Sequence, residues 1–171
     1  MRRSVLFIAV LIGFSVPAMS AEIVLQAIPD AKVVGEGRLT YAFWDVYDAT
    51  LYAPSGKLDQ NRPFALSLRY MREIDGNDIA VRSVDEMRGQ GFSDEAALAR
   101  WRSQMIAIFP NVENGTVLSA IFYPGDKTIF FNGKNKIGMI PDADFTREFS
   151  NIWLGKKTSE PELRKRLLGL S

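Results

Sequence analysis

The chain predicts an α+β domain, an antiparallel sheet covered on one face by helices, on three observations. Residues 38–70 hold runs rich in aromatic and β-branched residues or alternating apolar and polar positions, which mark strands. Two helical periods then follow back to back over residues 75–110. Beyond them an Asn132-Gly133 turn signal reopens the sheet. Two consecutive helices after three or four strands argue for helices packed on an antiparallel sheet.

The start of the chain is of a different kind. Met1-Arg2-Arg3-Ser4 and an apolar run over residues 5–14 make the cationic head and apolar body of an export signal. The run is roughly 10 residues, short of the ~20 a membrane-spanning helix needs. Ala18 and Ser20 fit the small-x-small rule, so the expected cut falls after Ser20, with Ala18 or Ala21 as alternatives. Residues 1–20 are therefore read as a signal peptide, residues 21–171 as a single domain, and the protein as exported, to the periplasm in a bacterium. A retained N-terminal anchor is the competing reading.

Residues 22–29 are expected to form an edge strand and loop, and Gly35 and Gly37 to frame a turn or bulge. Residues 38–43 and 46–52 read as a hairpin separated by Trp44-Asp45. Over residues 63–70, Leu66, Leu68 and Tyr70 share one face and Ala65, Ser67 and Arg69 the other, a half-buried strand by its period of two. Ile79, Ser83 and Met87 fall four apart on a first helix, with Asn77 and Asp78 as its caps. Ser93 is the expected N-cap of a second helix, whose stripe is Leu98, Trp101, Met105, Ile108 and Phe109. Strands over 116–123, 128–131 and 136–140 follow, the last two joined through Asn132-Gly133-Lys134-Asn135. Phe145, Phe149, Ile152 and Trp153 make a third helical series, and Ser159-Glu160-Pro161-Glu162 reads as a capping box opening a last short helix.

Composition removes most catalytic kits. The chain has no histidine and no cysteine, which excludes a Ser-His-Asp triad, the common zinc sites, a Cys nucleophile and disulfides. Arg2 and Arg3 are two of 21 basic residues set against 20 acidic ones, so a chain without them is close to neutral and has no electrostatic footprint for nucleic acid. Nothing implies a metal or an organic cofactor. Lys156, Lys157, Arg164, Lys165 and Arg166 cluster near the end, either to serve helix dipole and solvation or as a docking patch.

Three blocks resemble the chalcone isomerase superfamily, and within it a bacterial exported chalcone isomerase-like branch. They are Gly37-Arg38-Leu39-Thr40-Tyr41 continuing to Trp44-Asp45-Val46-Tyr47-Asp48-Ala49-Thr50-Leu51-Tyr52; Phe64-Ala65-Leu66-Ser67-Leu68-Arg69-Tyr70 leading into Ile74-Asp75-Gly76-Asn77-Asp78-Ile79-Ala80; and Phe130-Phe131-Asn132-Gly133-Lys134 through Ile137-Gly138 to Phe149-Ser150-Asn151-Ile152-Trp153-Leu154-Gly155. The resemblance implies an open-faced sandwich with a ligand cleft between sheet and helices. In the isomerase an arginine on an early strand stabilises an enolate during ring closure. In related fatty-acid-binding members an arginine and a tyrosine hold a carboxylate. Those roles match Arg38 and Tyr47, and the hairpin between them is shorter here than in the isomerase.

Arg38 with Tyr47 is thus the expected head-group clamp, a planar guanidinium fork beside a phenol. The alternative has Arg38 facing solvent and Tyr47 packed in the core. Arg69 is a second basic candidate, on a small-residue face with Ala65 and Ser67 that lines either a cavity or solvent. Asp45 and Asp48 read as an acid/base pair or as turn formers that hold Arg38 in place. Trp101, Met105, Phe109 and Met87 form either a ligand-tunnel wall or ordinary core.

The expected function is non-catalytic binding of a hydrophobic or amphipathic small molecule, foremost a fatty acid, with Arg38, Tyr47 and Arg69 as ligand-binding residues and no catalytic residue. Two alternatives stay open: an isomerase catalysing a chalcone-type conjugate addition, and a protein-interaction or scaffold domain with a solid core. No nucleic acid and, after signal cleavage, no integral membrane segment is expected.

Overall fold

The computed structural model describes residues 18–170. The apolar run and cationic head expected to form the export signal lie outside the described residues. The elements in chain order are α1 (Ala18–Ala27), β1 (Ala31–Tyr41), β2 (Trp44–Pro54), β3 (Phe64–Tyr70), α2 (Gly76–Gly89), α3 (Glu95–Ile108), β4 (Val117–Tyr123), β5 (Lys127–Asn132), β6 (Asn135–Ile140), α4 (Ala143–Leu154) and α5 (Pro161–Leu167). The six strands form one sheet in the order β1-β2-β3-β4-β5-β6, each antiparallel to its neighbour. This is the α+β architecture the pattern of strands and helices predicts.

Register decides what each face carries, because side chains alternate across a strand. Gly35, Leu51, Leu66, Ala120, Phe130 and Gly138 are aligned across all six strands on the inner face. That face meets α2 to α5, and the main core between them includes Trp101, Met105, Phe145 and Phe149. Tyr52, Ala65 and Ile121 are aligned on the outer face and pack under Ile23, Val24 and Ile28.

That second cluster corrects the expected edge strand over residues 22–29, which instead belong largely to α1. Ile23, Val24, Ala27 and Ile28 recur one, three and four positions apart, a helical stripe too short to dominate its mixed surroundings in the sequence. The expected cut after Ser20 falls within α1, and a chain beginning at Ala21 keeps all three buried residues of the stripe.

The first hairpin turns at Ala42-Phe43, not at Trp44-Asp45, which pair with Tyr41 and Thr40 in the ladder. Asp45 is held there by hydrogen bonds from the Thr40 hydroxyl (2.9 Å) and Arg38 (2.8 Å), and Ala42 takes the positive φ of 54° that the tight turn requires. Three caps also differ. The side chain capping α3 is Asp94, which accepts from the Ala97 amide at 3.0 Å, and Ser93 lies one residue outside. Asp75, not Asn77 or Asp78, is the N-cap of α2, and the Gly76 amide donates to the Asn111 side chain at 2.9 Å. Ahead of α5 the box does not close: Glu160 is the N-cap without a side-chain bond, and Pro161 supplies the first turn.

α5 lies against β1 by virtue of two glycines. A β-carbon at Gly35 would run into the backbone carbonyls of Arg166 and Leu167, and one at Gly37 into Leu163. A register shift between Val33 and Gly35 accompanies this close approach, as the paired glycines suggest. Gly35→Ala forces backbone apart from backbone, so we expect a loss of about 1–3 kcal/mol, of the size of core overpacking, in urea unfolding.

One carboxylate ties α3 to α4. Asp142 accepts from the Phe145 amide (3.0 Å), the Trp101 indole (2.9 Å) and Arg100 (3.3 Å). Desolvation pushes its carboxyl up, but these bonds outweigh it and hold the group below the usual aspartate value. A depressed folded value means stability present above the unfolded value of about 3.9 and lost as pH falls through the folded one. Asp142→Asn is therefore expected to flatten the acid limb of the stability profile below about pH 4, read by urea titrations at stepped pH.

Candidate functional site: an apolar cavity between sheet and helices

The inner face and its helices do not close completely. Between them lies a cavity of about 300 Å3, at the lower end of the roughly 300–1,000 Å3 typical of small-molecule sites. Its floor is Leu66, Leu68, Ala120 and Phe130 of the sheet; its roof is Ile79 and Ser83 of α2 with Phe149, Ile152 and Trp153 of α4. The void follows from side-chain size. Ala120 stands between Leu66 and Phe130 with only a methyl, and Ser83 faces it from α2. The Ser83 hydroxyl donates to the Ile79 carbonyl at 2.8 Å, so it places no unmet polar demand on the space.

Two phenols sit at one side. Tyr47 on β2 is paired with Tyr70 on β3, their rings edge to face at 5.7 Å. The Trp153 indole donates to the Tyr47 hydroxyl at 2.9 Å, which orients that phenol and leaves its own proton without an acceptor among the described residues. Tyr70 is 4% exposed, lines the cavity and makes no side-chain hydrogen bond among the described residues. Burial pushes both phenols well above the usual tyrosine range, against the opposing bond from Trp153 at Tyr47, so both stay neutral donors at any physiological pH.

The polar rim comes from α2 and the segment entering α5. Asp78, Arg82 and Glu86 stand four apart on α2, and Glu160 faces them. Arg82 is paired with Glu86 at 2.5 Å; the guanidinium is mostly exposed and the Glu86 carboxylate nearly buried. Desolvation, then the charge of Glu86, push the Glu160 carboxyl above its usual value, with Arg82 offsetting part of this.

Of the sequence-predicted residues, Tyr47 lines the cavity and Arg38 and Arg69 do not. Parity is the reason. Tyr47 pairs with Leu39 and Tyr70 on the inner face, so Arg38 and Arg69, each one residue away, point outward on either side of Asp48. The expected clamp of Arg38 with Tyr47 is not formed. Instead Arg38 makes a two-pronged contact with Asp48 (2.7 and 3.1 Å) and a third bond to Asp45 (2.8 Å), the arrangement foreseen for those two carboxylates. Arg69 is exposed.

The small-residue face of Ala65 and Ser67 lines no void: Ala65 packs under α1, and the Ser67 hydroxyl bonds that of Ser119 at 2.8 Å. Phe109 is part of the cavity wall, whereas Trp101, Met105 and Met87 are fully buried core. Sequence reasoning missed Tyr70, Trp153, Arg82, Glu86 and Glu160 as site residues. Tyr70 was open to it, since it shares the face of Leu66 and Leu68; Glu160 was not, because only the α4–α5 crossing brings it to α2.

Comparison with known proteins agrees with this fold. Residues 31–169 match the family described as chalcone isomerase-like. A protein of Haemophilus influenzae, described only as uncharacterized, is 27% identical over 172 aligned positions, covering 99% of this chain and 79% of its own length. Among solved structures, a fatty-acid binding protein of Arabidopsis thaliana superposes with a TM-score of 0.63 over 81% of this chain and 87% of that one. At 12% identity that likeness establishes the shared fold.

Proposed function

The chain belongs to the chalcone isomerase-like family, and from that premise we propose that it binds a hydrophobic or amphipathic small molecule, with an aliphatic chain of the fatty-acyl kind, without turning it over. The observation that carries this reading is the cavity itself: apolar walls, two neutral phenols, one buried and one half-buried, and a polar rim at one opening. A fatty-acid binding protein with the same fold supports it. Each buried methylene contributes about 0.8 kcal/mol, so a short alkyl chain outweighs the ~0–1 kcal/mol of an exposed ion pair. The tail therefore sets affinity and the rim selects the head.

In the isomerase the group that stabilises the developing enolate is an arginine, held where that charge appears. Arg38, the match to the isomerase's arginine, lies on the far side of the sheet, and Arg82 at the rim is engaged by Glu86. A chalcone added to the protein is expected to cyclise at its spontaneous rate. Export is part of the same proposal and rests on the leader-like residues 1–20; intact mass should give a mature chain beginning near Ala21.

The deciding experiment is native mass spectrometry of protein purified from its own compartment, followed by solvent extraction. A bound alkyl-chain compound is the expected result. Protein that carries nothing and takes up no alkyl amphiphile in titration would overturn the reading.

A further inference from the structure

The rim and the phenols together say more about the head group than the walls do. Three carboxylates, Asp78, Glu86 and Glu160, border the opening, against one guanidinium, Arg82, already committed to Glu86. The two arginines that the sequence offered as ligand-binding residues, Arg38 and Arg69, are screened from the cavity by the sheet itself. Inside, Tyr70 lines the space, and its hydroxyl makes no hydrogen bond among the described residues, so it is free to bond a ligand atom there. Tyr47 offers a second free proton beside it, its oxygen already taken by Trp153.

We propose that the amphiphile held in this cavity carries no negative charge at its polar end: an uncharged or cationic head accepted by the rim, with a free carboxylate disfavoured. An ester, amide, alcohol or ammonium group presents an acceptor or a donor to the phenols without adding a further negative charge to three carboxylates. A carboxylate finds two phenol donors but no available cation, and it enters a partly desolvated site where like charges repel more strongly than in water. This inference rests on the cavity being the binding site, and it separates this chain from a carrier that grips an anionic head with an unpaired arginine.

The test is isothermal titration of the full chain with decanoate, decanol and decylamine, at low salt and at a pH where the acid is ionised and the amine protonated. Decanol and decylamine are expected to bind about tenfold or more tighter than decanoate, a gap that added salt narrows. In the double variant Glu86→Gln with Glu160→Gln, which releases Arg82, the gap between decanol and decanoate should close by about tenfold. Decanoate binding as tightly as decanol to the unaltered protein would overturn the inference while sustaining the cavity. Failure of all three to bind would overturn the cavity reading and this inference with it.

Discussion

Ala120→Phe is expected to weaken ligand binding roughly a hundredfold while the protein stays folded. Ala120 lies on the cavity floor between Leu66 and Phe130, so a larger apolar side chain there projects into the void rather than into packed atoms. A space of ~150 Å3 holds a benzene ring, and the cavity measures about 300 Å3, so the new ring takes up about half of it. A ligand then loses the burial of three or four methylenes at about 0.8 kcal/mol each, roughly a hundredfold in affinity. Stability should hold or rise, because an apolar void is exchanged for contacts. Arg38→Ala is the matched control: it removes a cation from the outer face and its bonds to Asp45 and Asp48, and affinity for an alkyl ligand should not change. Titration of both variants with decanol reads the difference, and a reversal of the two results would move the site to the other face of the sheet.

That contrast turns on a single residue of register, and it shows where the sequence stops being legible. The strands from β2 onward, the two central helices and the Asn132-Gly133 hairpin were readable because each is encoded locally, by period or by turn chemistry, whereas β1 begins at Ala31, seven residues before the aromatic run that marked it. α1 was not, since its helical stripe pays off only against Tyr52, Ala65 and Ile121, residues distant in the chain. The clamp of Arg38 with Tyr47 fails for a related reason. Arg38 and Tyr47 are nine apart across a hairpin, and which face each takes depends on the turn position and on the shift between Leu39 and Thr40. A one-residue change in either flips a strand's entire pattern. The face of Leu66, Leu68 and Tyr70 was legible because alternation within one strand needs no partner. Its role as a cavity wall was not, because a void is a property of Ala120 and Ser83 meeting across layers.

Phe149→Ala is expected to produce the largest loss of stability and, at the same time, to widen what the cavity accepts. Phe149 is 4% exposed and touches a ring on every side: Phe145 stacked at 5.1 Å, Trp153 at 5.3 Å, Phe130 at 5.5 Å, and Phe109 and Phe122 each at 6.2 Å. It joins α4 to the sheet and forms part of the cavity roof. Truncating a buried phenylalanine costs about 3–5 kcal/mol, a large share of the 5–15 kcal/mol by which a domain of this kind is stable. Collapse around the deletion is restricted, because the neighbouring rings are fixed by one another and by the bond from Trp153 to Tyr47. The added void therefore opens into the existing one. A bulkier or branched alkyl alcohol should then bind the variant better than the unaltered protein does, and its binding should restore part of the lost thermal stability in proportion to occupancy. Thermal unfolding with and without such a ligand tests both halves. A drop in stability with no gain in ligand size would mean that Phe149 belongs to the packed core alone and that the roof of the site lies elsewhere on α4.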